Sequence, residues 1–335
     1  AFRMNTYDMR GRSRGILAIV LGLGVLALGA GPGAAEDIGE KLSSVPEGYA
    51  KAYTSPFIHA HGPNQNSNLY STAEIPWGKL VFGVGIKFMG TSINETDQSF
   101  RLVFEDVDLG EIDDEYTGIT GDVVMEGPTI FGSTDDLGTI ELYSGGVLLE
   151  SVDTISGVID TRWVPLAAPE GYVGGYFGLK GMIRWLPTIS NDDFGKVELF
   201  GYGLQWSASE LLTNFPVDLM VGFFNQSMDV YGEVPGYEGG MLTEASSLYL
   251  AGSYDWPALT LYGGFALESS EMDVYYSIDN PDLGNLDGME VRFTEEGRQE
   301  NRFTLGVTFD ILAKLNLEMA HGDFTTYSAG LMFGN

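Results

Sequence analysis

Two histidines lie two residues apart near the start of the chain, and imidazole is the commonest metal ligand in proteins. If this segment were a strand, His59 and His61 would share one face. A zinc site needs at least three protein ligands, and no third ligand stands at a fixed spacing nearby. The sequence has three His and no Cys, which leaves little for zinc, iron–sulfur or thiol chemistry. We therefore predict no metal centre and interpret the pair as polar residues close to a loop.

His321 is followed by Gly322 and Asp323, so an imidazole and a carboxylate stand close together. Such a pair orients and activates the nucleophile of many hydrolases. No nucleophile is identified beside this pair. We therefore predict no catalytic residues and no enzyme, and keep a hydrolase that uses His321 as the third of three functional hypotheses.

Acidic residues are concentrated in two segments, Glu105–Glu115 and Glu271–Arg298. The first faintly resembles a calcium-binding loop, but the spacing fails. Such a loop needs a further oxygen ligand before its glycine and a Glu at its twelfth position. Both segments are interpreted as solvated loops, and no cofactor is predicted. Divalent cations that bridge these loops to anionic lipid headgroups are a hypothesis.

Cationic and tyrosine side chains form the remaining candidate site. Lys180, Arg184, Tyr249 and Tyr262 fall on the more polar face of alternating segments. A face that mixes cationic and aromatic groups suits a small amphiphilic solute, and we predict these four residues as solute contacts. The alternative is that the charges on this face neutralise one another in a packed interior. Both interpretations depend on the elements that carry these residues.

The balance of charge excludes one class of partner. The 335 residues include 47 Asp and Glu against 17 Lys and Arg, a formal net charge of -30. Nucleic-acid binding requires Lys and Arg to neutralise phosphates, so no nucleic-acid partner is predicted. The length allows one large domain or two ordinary ones.

The first 35 residues have the layout of a secretory signal peptide. A basic region with Arg10, Arg12 and Arg14 precedes an apolar run over residues 16–30, and small residues then lead to Ala35. The run is short for a membrane-spanning helix, which needs about 20 residues. We predict that residues 1–35 are a signal peptide cleaved after Ala35, and that residues 36–335 form one exported barrel domain.

Apolar and polar residues alternate through much of the remaining chain. The clearest examples are Phe303–Ile311, Leu259–Leu267 and Leu80–Phe88. Alternation over about nine residues predicts strands with one apolar face, longer than the strands of about 5–6 residues in most soluble sheets. These segments match the spans of about ten residues in transmembrane barrels.

The connections between these segments differ at their two ends. Tight turns are predicted near Asp310–Ala313, Tyr254–Pro257 and Ile75–Gly78. Polar loops, mostly longer, are predicted on the other side, the longest being Met228–Glu244 and Glu271–Arg298. Short turns at one end and long polar loops at the other are typical of outer-membrane barrels.

These features predict an all-β fold, an antiparallel transmembrane β-barrel of about 12–14 strands in the bacterial outer membrane. Residues 105–170 alternate less regularly, and two alternatives stay open for them: extra barrel strands, or a plug folded into the lumen. In Val197–Trp206 both faces carry apolar residues, and an interior aromatic face is one interpretation.

Several short motifs are similar to those of a known family. They are Asn68-Leu69-Tyr70-Ser71-Thr72-Ala73 before the strand Leu80–Met89, Pro128-Thr129-Ile130-Phe131-Gly132, Gly178-Leu179 leading to Arg184-Trp185-Leu186-Pro187, and Tyr262-Gly263-Gly264 leading to Glu268-Ser269-Ser270. The chain resembles a family of Gram-negative outer-membrane β-barrels of unknown function. The resemblance implies fold and location and transfers no catalytic residues. A looser similarity is to the long-chain fatty-acid transporters of the outer membrane, whose Asn-Pro-Ala signature this sequence lacks.

The last ten residues, TYSAGLMFGN, form the final strand of the predicted barrel. The side chains that should face lipid are Tyr327, Ala329, Leu331 and Phe333. This arrangement resembles the C-terminal signal of outer-membrane barrels. Outer-membrane lipid and the barrel assembly machinery are therefore expected partners of a monomeric barrel. The leading functional hypothesis is passive passage or uptake of a small amphiphilic solute. The second is a non-conducting structural or surface-interaction barrel with acidic ion-binding loops.

Overall fold

The structure is a computed structural model that describes residues 45–112, 114–154, 156–157, 162–191, 195–212, 215–234, 237–278 and 290–334. The predicted signal peptide lies outside these residues. Within them, one α-helix, α1 (Val45–Gln65), precedes fifteen strands. The strands are β1 (Gly78–Ser92), β2 (Ser99–Asp108), β3 (Thr120–Pro128), β4 (Thr139–Ser144), β5 (Val147–Asp153), β6 (Trp163–Tyr176), β7 (Leu179–Asn191), β8 (Gly195–Ser207), β9 (Asp218–Val234), β10 (Tyr237–Trp256), β11 (Leu259–Ile278), β12 (Glu290–Glu296), β13 (Asn301–Asp310), β14 (Lys314–His321) and β15 (Thr325–Gly334). No helix in the described ranges is long and apolar enough to cross a membrane.

Ten of these strands form a closed antiparallel barrel, which confirms the predicted fold class. Their order around the wall is β1, β6, β7, β8, β9, β10, β11, β13, β14 and β15, and β15 pairs with β1 to close it. The longest pairing, β10 with β11, runs from Trp256 opposite Leu259 to Tyr237 opposite Ile278. Closure lets each wall strand pair on both sides, so the wall has no open sheet edge.

The sequence predicts about 12–14 wall strands, but the wall contains ten. The difference arises because five of the fifteen strands lie outside the wall. β2–β5 form a separate four-stranded sheet, and β12 pairs with the distal part of β11 over residues 271–277. Of the two alternatives for residues 105–170, neither extra wall strands nor a plug describes most of the region. It supplies much of the separate sheet, and its last residues begin β6. Period-two alternation does not distinguish wall strands from strands of a small sheet beside the barrel.

The barrel has two distinct ends, here called the turn end and the loop end. At the turn end, the tight turns predicted near Tyr254–Pro257 and Asp310–Ala313 are confirmed, since they join β10 to β11 and β13 to β14. At the loop end, the prediction of a long loop over Met228–Glu244 is wrong, because β9 and β10 pair up to Val234 opposite Tyr237. The separate sheet is inserted between β1 and β6 at the loop end.

The outward face of the wall is apolar. Leu250, near the middle of the barrel wall, is 54% exposed, and its neighbours on other strands are similar. An exposed apolar surface of this extent would be an aggregation hazard in water but is the natural surface of a barrel in lipid. The predicted faces of β15 are confirmed. Its exposed side chains include Tyr327, Leu331 and Phe333, and its buried side chains are Thr326, Ser328 and Met332.

The interior aromatic face suggested for Val197–Trp206 is wrong. The exposed side chains of β8 include Phe200, Tyr202, Leu204 and Trp206. The inward positions include Gly201 and Gly203, where an added Cβ would meet the ring of Phe224 at 2.8 and 2.7 Å. Glycine is therefore required on the inner face of β8 because Phe224 fills that part of the lumen.

We expect Leu250→Arg to lower the free energy of unfolding by about 2–4 kcal/mol when the protein is folded into a bilayer, because a charge would enter the hydrocarbon region. The matched control is Leu148→Arg on β5, where the leucine is 48% exposed but lies on the separate sheet. That control should change stability by about 0.5 kcal/mol or less, as most surface substitutions do. Urea titration of both variants in lipid vesicles measures the difference, and equal losses would contradict an outward face in lipid.

At the loop end, the separate sheet packs against α1. The hydroxyl of Tyr49 lies 2.7 Å from that of Thr154, and Tyr49 and Val123 belong to one buried cluster. Pro56 and Pro63 lie inside α1 and lack the N–H groups that a helix needs. Packing against the sheet and the barrel strands therefore stabilises α1 more than its own helix propensity does.

Candidate functional site

A segment that precedes β1 occupies the lumen; it comprises residues 63–77 and is here called the plug. Near the loop end, the side chain of Asn64 donates to the carbonyl of Val164 at 2.6 Å. Near the turn end, the carbonyl of Trp77 accepts from the backbone N–H of Phe177 at 3.3 Å. The plug therefore crosses the barrel from one end to the other. Ile75–Gly78, predicted as a turn between strands, is where the plug continues into β1.

Arg184 binds the plug from β7. Its Nε donates to Glu170 at 2.8 Å, and its two terminal nitrogens donate to the carbonyls of Gln65 (3.0 Å), Ser67 (2.7 Å) and Asn68 (3.0 Å). The Arg184 side chain is 0% exposed, and Glu170 is buried on the neighbouring strand β6. A planar guanidinium can satisfy several acceptors at once, which is why arginine suits this position.

Arg302 binds the plug in a similar way from β13. It forms an ion pair with Glu268 of β11 at 2.8 Å. Its terminal nitrogens donate to the carbonyls of Pro63 (3.0 Å) and Asn66 and to the hydroxyl of Ser67 (2.9 Å). Two buried arginine–glutamate pairs from different parts of the wall therefore hold one short stretch of the plug, residues 63–68, here called the knot.

Asn68 adds polar side-chain contacts to the knot. Its side-chain oxygen accepts from Lys87 and Asn316, both at 2.7 Å, and its side-chain nitrogen donates to Ser328 at 3.0 Å. Its backbone N–H donates to Glu318 at 3.0 Å. The backbone of Asn68 has φ of 58°, a left-handed conformation that asparagine tolerates better than most residues. Residue type and backbone conformation are therefore matched here.

Between the knot and the turn end, tyrosine side chains fill part of the lumen. The ring of Tyr70 on the plug stacks on Tyr249 with centroids 5.2 Å apart and meets the edge of Tyr262 at 5.6 Å. Gln205 donates to the hydroxyl of Tyr249 at 2.7 Å. All four side chains are buried, so Tyr249 and Tyr262 contact the plug in this state of the protein.

Between the knot and the turn end lies a cavity of about 290 Å³, here called the turn-end cavity. Its lining includes four lysines, and the sequence contains only seven. The four are Lys79, Lys87, Lys180 and Lys314. Tyr172 lies beside them, with its ring centroid 5.2 Å from the ammonium nitrogen of Lys180. In a chain with a net charge of -30, this is a local concentration of positive charge.

The remaining lining of the turn-end cavity is partly apolar. Buried side chains from the plug and the wall contribute, namely Leu69, Ile75, Met182 and Met332. A concave site with apolar walls and a few convergent polar groups is typical of small-molecule pockets, whose volumes are about 300–1,000 Å³. The turn-end cavity is therefore close to the lower limit for a ligand site.

The four predicted solute contacts occupy two different environments. Lys180 lines the turn-end cavity, whereas Arg184, Tyr249 and Tyr262 lie against the plug. Their role as solute contacts stays a prediction. The plug itself was missed, because a polar segment without alternation gives no signal for a position inside a barrel. The available clue was the run PNQNSN before the first strand, whose amides and carbonyls match the charged groups on the wall.

His59 and His61 do not share a face, because they lie on α1 and residues two apart on a helix point to nearly opposite sides. His59 Nε2 lies 3.2 Å from a carboxylate oxygen of Glu295 on β12. His61 is buried, with its ring stacked on Phe57 at 5.2 Å. The two histidines therefore contact different parts of the protein.

Burial lowers the pKa of His61 to about 4. The unfolded chain takes up a proton near pH 6.5 but the folded protein resists it, so stability should fall as the pH falls from about 6.5 to about 4. We expect His61→Gln to remove roughly 2–3 kcal/mol of the stability change between pH 7.5 and 4.5. The measurement is urea unfolding at both pH values. If His61→Gln leaves the stability change between the two pH values as it is, burial of this imidazole does not cause the pH dependence.

Three carboxylates meet at the turn end, from Glu74 of the plug, Asp218 of β9 and Asp255 of β10. Their oxygens lie within 4.8 Å of one another. Burial and then the two neighbouring carboxylates raise the pKa of Glu74. This group is distinct from the acidic loops for which a role of divalent cations is hypothesised.

His321 lies at the loop end of β14, on the outward face. It lines a shallow groove with Trp163 and Tyr327, and its Nδ1 lies 2.9 Å from the hydroxyl of Thr325. Among the described residues, no carboxylate lies within ion-pair distance of His321. The hydrolase hypothesis therefore gains no supporting contact here.

Comparisons with known proteins give one family and several distant structures. A family described as a family of unknown function (DUF6588) matches residues 13–335. No curated protein matches the chain. The solved structures similar to it include Ail, the attachment invasion locus protein of Yersinia pestis, with 9% identity, a TM-score of 0.27, and coverage of 77% of this chain and 99% of that one. The outer membrane protease OmpT from Escherichia coli is 12% identical with a TM-score of 0.27, covering 80% and 99%. The loop L8 deletion mutant of OmpT, an outer membrane protein of Vibrio cholerae, is 13% identical with a TM-score of 0.24, covering 77% and 99%. At these TM-scores the structures carry no argument about activity.

Proposed function

The chain belongs to the family of unknown function DUF6588, and from its geometry we propose that it is an outer-membrane barrel that passes or takes up a small amphiphilic solute when its plug shifts. The observation that carries the proposal is the turn-end cavity, where Lys180 and other lysines face apolar side chains directly below the knot. A solute with a polar and an apolar part would find a partner for each.

The apolar outward face and the two unequal ends support a place in the outer membrane. Outer-membrane barrels carry short turns on the periplasmic side and longer loops on the outside. In this orientation the turn-end cavity faces the periplasm, and α1 with the separate sheet faces the exterior. Outer-membrane lipid and the barrel assembly machinery are then the partners of a monomeric barrel.

We expect residues 69–77, the part of the plug between the knot and the turn end, to move. The knot is held by charged groups, and hydrogen bonds to charged groups contribute about 1.5–3 kcal/mol each. Between the knot and the turn end the hydrogen bonds to the plug are neutral: Thr308 donates to the carbonyl of Ser71, and Ser207 to that of Ala73, both at 2.7 Å. Neutral hydrogen bonds contribute only about 0.5–1.5 kcal/mol each. A shift of residues 69–77 would enlarge the cavity while the knot stays anchored.

A second candidate is a non-conducting barrel that presents a surface for interaction outside the cell. The observation that favours it is the density of contacts in the knot, which close the lumen in this state of the protein. The separate sheet at the loop end would then be the functional surface.

Flux into liposomes distinguishes the two candidates. Vesicles with the folded protein are loaded with hexyl phosphate or hexyl glucoside, and release is compared with vesicles that contain no protein. Release of either probe above the protein-free rate supports passage of an amphiphile. Release of neither, from protein that shows the heat-dependent gel shift of a folded barrel, contradicts passage and favours the surface barrel.

A further inference from the structure

We propose that the turn-end cavity is a binding site for the anionic headgroup of a small amphiphile, a phosphate or a carboxylate on a short alkyl chain. The inference rests on the proposed function, in which this cavity is where the solute contacts the barrel. It adds the charge of the solute and the side chains that recognise it.

The turn-end cavity is lined by more cationic than anionic side chains, four lysines against Glu74 and Glu170. Within the described part of the chain, neither Lys79 nor Lys180 has a carboxylate within ion-pair distance. Glu170, the carboxylate deepest in the cavity, is already engaged by Arg184 at 2.8 Å and Lys87 at 3.7 Å. An anion placed between free ammonium groups would receive charge-assisted hydrogen bonds, which are the stronger kind.

The position of the remaining charges is consistent with an anion. Lys314 pairs with Asp310 only at 3.9 Å, and the carboxylate of Asp310 is 58% exposed. Glu74 is the other carboxylate of the lining; it is exposed and clusters with Asp218 and Asp255. Apart from the buried Glu170, these acidic groups therefore lie towards solvent, and Lys87 is buried beside Glu170.

The apolar lining of the turn-end cavity distinguishes an amphiphile from an inorganic ion. Leu69 and Ile75 of the plug face Met182 and Met332 of the wall, and all four are buried. A site for a bare ion would need polar groups on all sides. At about 290 Å³ the cavity has room for a headgroup and a short chain only.

Direct binding tests the inference without any transport. The full-length protein in nanodiscs of zwitterionic lipid is titrated calorimetrically with hexyl phosphate, hexanoate, inorganic phosphate and hexyl glucoside. We expect at least one anionic amphiphile to bind at least tenfold more tightly than hexyl glucoside and inorganic phosphate, and to bind more weakly at high salt. Tighter binding of hexyl phosphate assigns a phosphate headgroup, and tighter binding of hexanoate assigns a carboxylate.

Two variants identify the site. Lys79→Gln with Lys180→Gln should weaken binding of the anionic amphiphile at least tenfold. Lys196→Gln, at a lysine that lies at the loop end beside Tyr231, should leave it unchanged. Lys180→Arg keeps the charge and should retain most of the affinity, which separates recognition from misfolding. Equal affinity for hexyl glucoside, equal affinity for inorganic phosphate, or an unchanged affinity in the double variant would overturn the inference.

The binding and flux results can fail separately. Binding of the anionic amphiphile without flux leaves the site in place and contradicts the proposed passage. Flux of hexyl glucoside without selective binding of an anion supports passage and overturns the site.

Discussion

Replacing Arg184 by methionine should lower the free energy of unfolding by about 3–5 kcal/mol, because removing one partner of a buried ion pair leaves the other charge uncompensated. Glu170 would keep only Lys87, at 3.7 Å. Three plug carbonyls would also lose their donor. With the knot weakened on one side, ion conductance in planar bilayers should rise above that of the unmodified protein. Urea unfolding in vesicles and single-channel recording measure the two effects.

Two further variants test the cause of this loss. Arg101→Met removes an exposed arginine that lies 3.5 Å from Glu126, and should cost about 1 kcal/mol or less. Combining Arg184→Met with Glu170→Gln should recover part of the loss, because no isolated buried carboxylate remains. If Arg184→Met costs no more than Arg101→Met, the knot does not contribute to stability in the way described.

Asn68→Leu should cost about 4 kcal/mol, from two separable sources. The buried Lys87 and Asn316 would lose their shared acceptor, and the loss of a hydrogen bond to a charged group costs about 1.5–3 kcal/mol. Leucine would also have to adopt a φ of 58°, and such strain costs about 1–3 kcal/mol.

Asn68→Gly separates these sources, because glycine adopts positive φ freely but has no side chain to bind Lys87. We expect it to cost about 1–2 kcal/mol less than Asn68→Leu in the same urea titration. Equal losses would show that the backbone conformation at this position contributes nothing, and the structural account of Asn68 would then be wrong.

The wall of the barrel could be predicted from sequence because lipid imposes a simple rule on it. Outward side chains in the hydrocarbon region are apolar, and every second residue of a wall strand points outward. Segments such as Phe303–Ile311 and Leu80–Phe88 were therefore recognisable. The number of wall strands could not be predicted in the same way. β2–β5 have one face against α1 and one in solvent, and this also produces alternation.

The side-chain contacts inside the lumen could not be predicted from the sequence, for a different physical reason. Lys87, Arg184, Glu268 and Glu318 could be placed on the inner face by their parity, and they are buried there. Which partner neutralises each one depends on the register of distant strands and on the path of residues 63–68, and no local pattern records either. At the knot the inner charges are paired, as one of the two interpretations predicts. Lys180 faces the turn-end cavity, and its role as a solute contact stays a prediction.

The most direct measurement of the central claim, that passage requires movement of the plug, is flux through a barrel whose plug is covalently fixed. The hydroxyls of Thr72 on the plug and Ser253 on β10 lie 3.2 Å apart, and the chain has no cysteine. Thr72→Cys with Ser253→Cys therefore allows a disulfide between plug and wall. The control is Thr91→Cys with Thr326→Cys, which links two neighbouring wall strands where the hydroxyls lie 2.8 Å apart.

Both variants are reconstituted in liposomes, and release of hexyl phosphate is measured before and after reduction. We expect the oxidised plug-to-wall variant to release no more than protein-free vesicles and to recover on reduction, while the wall-to-wall control releases at the same rate in both states. Undiminished release from the oxidised plug-to-wall variant would contradict the claim that the solute passes only when the plug moves.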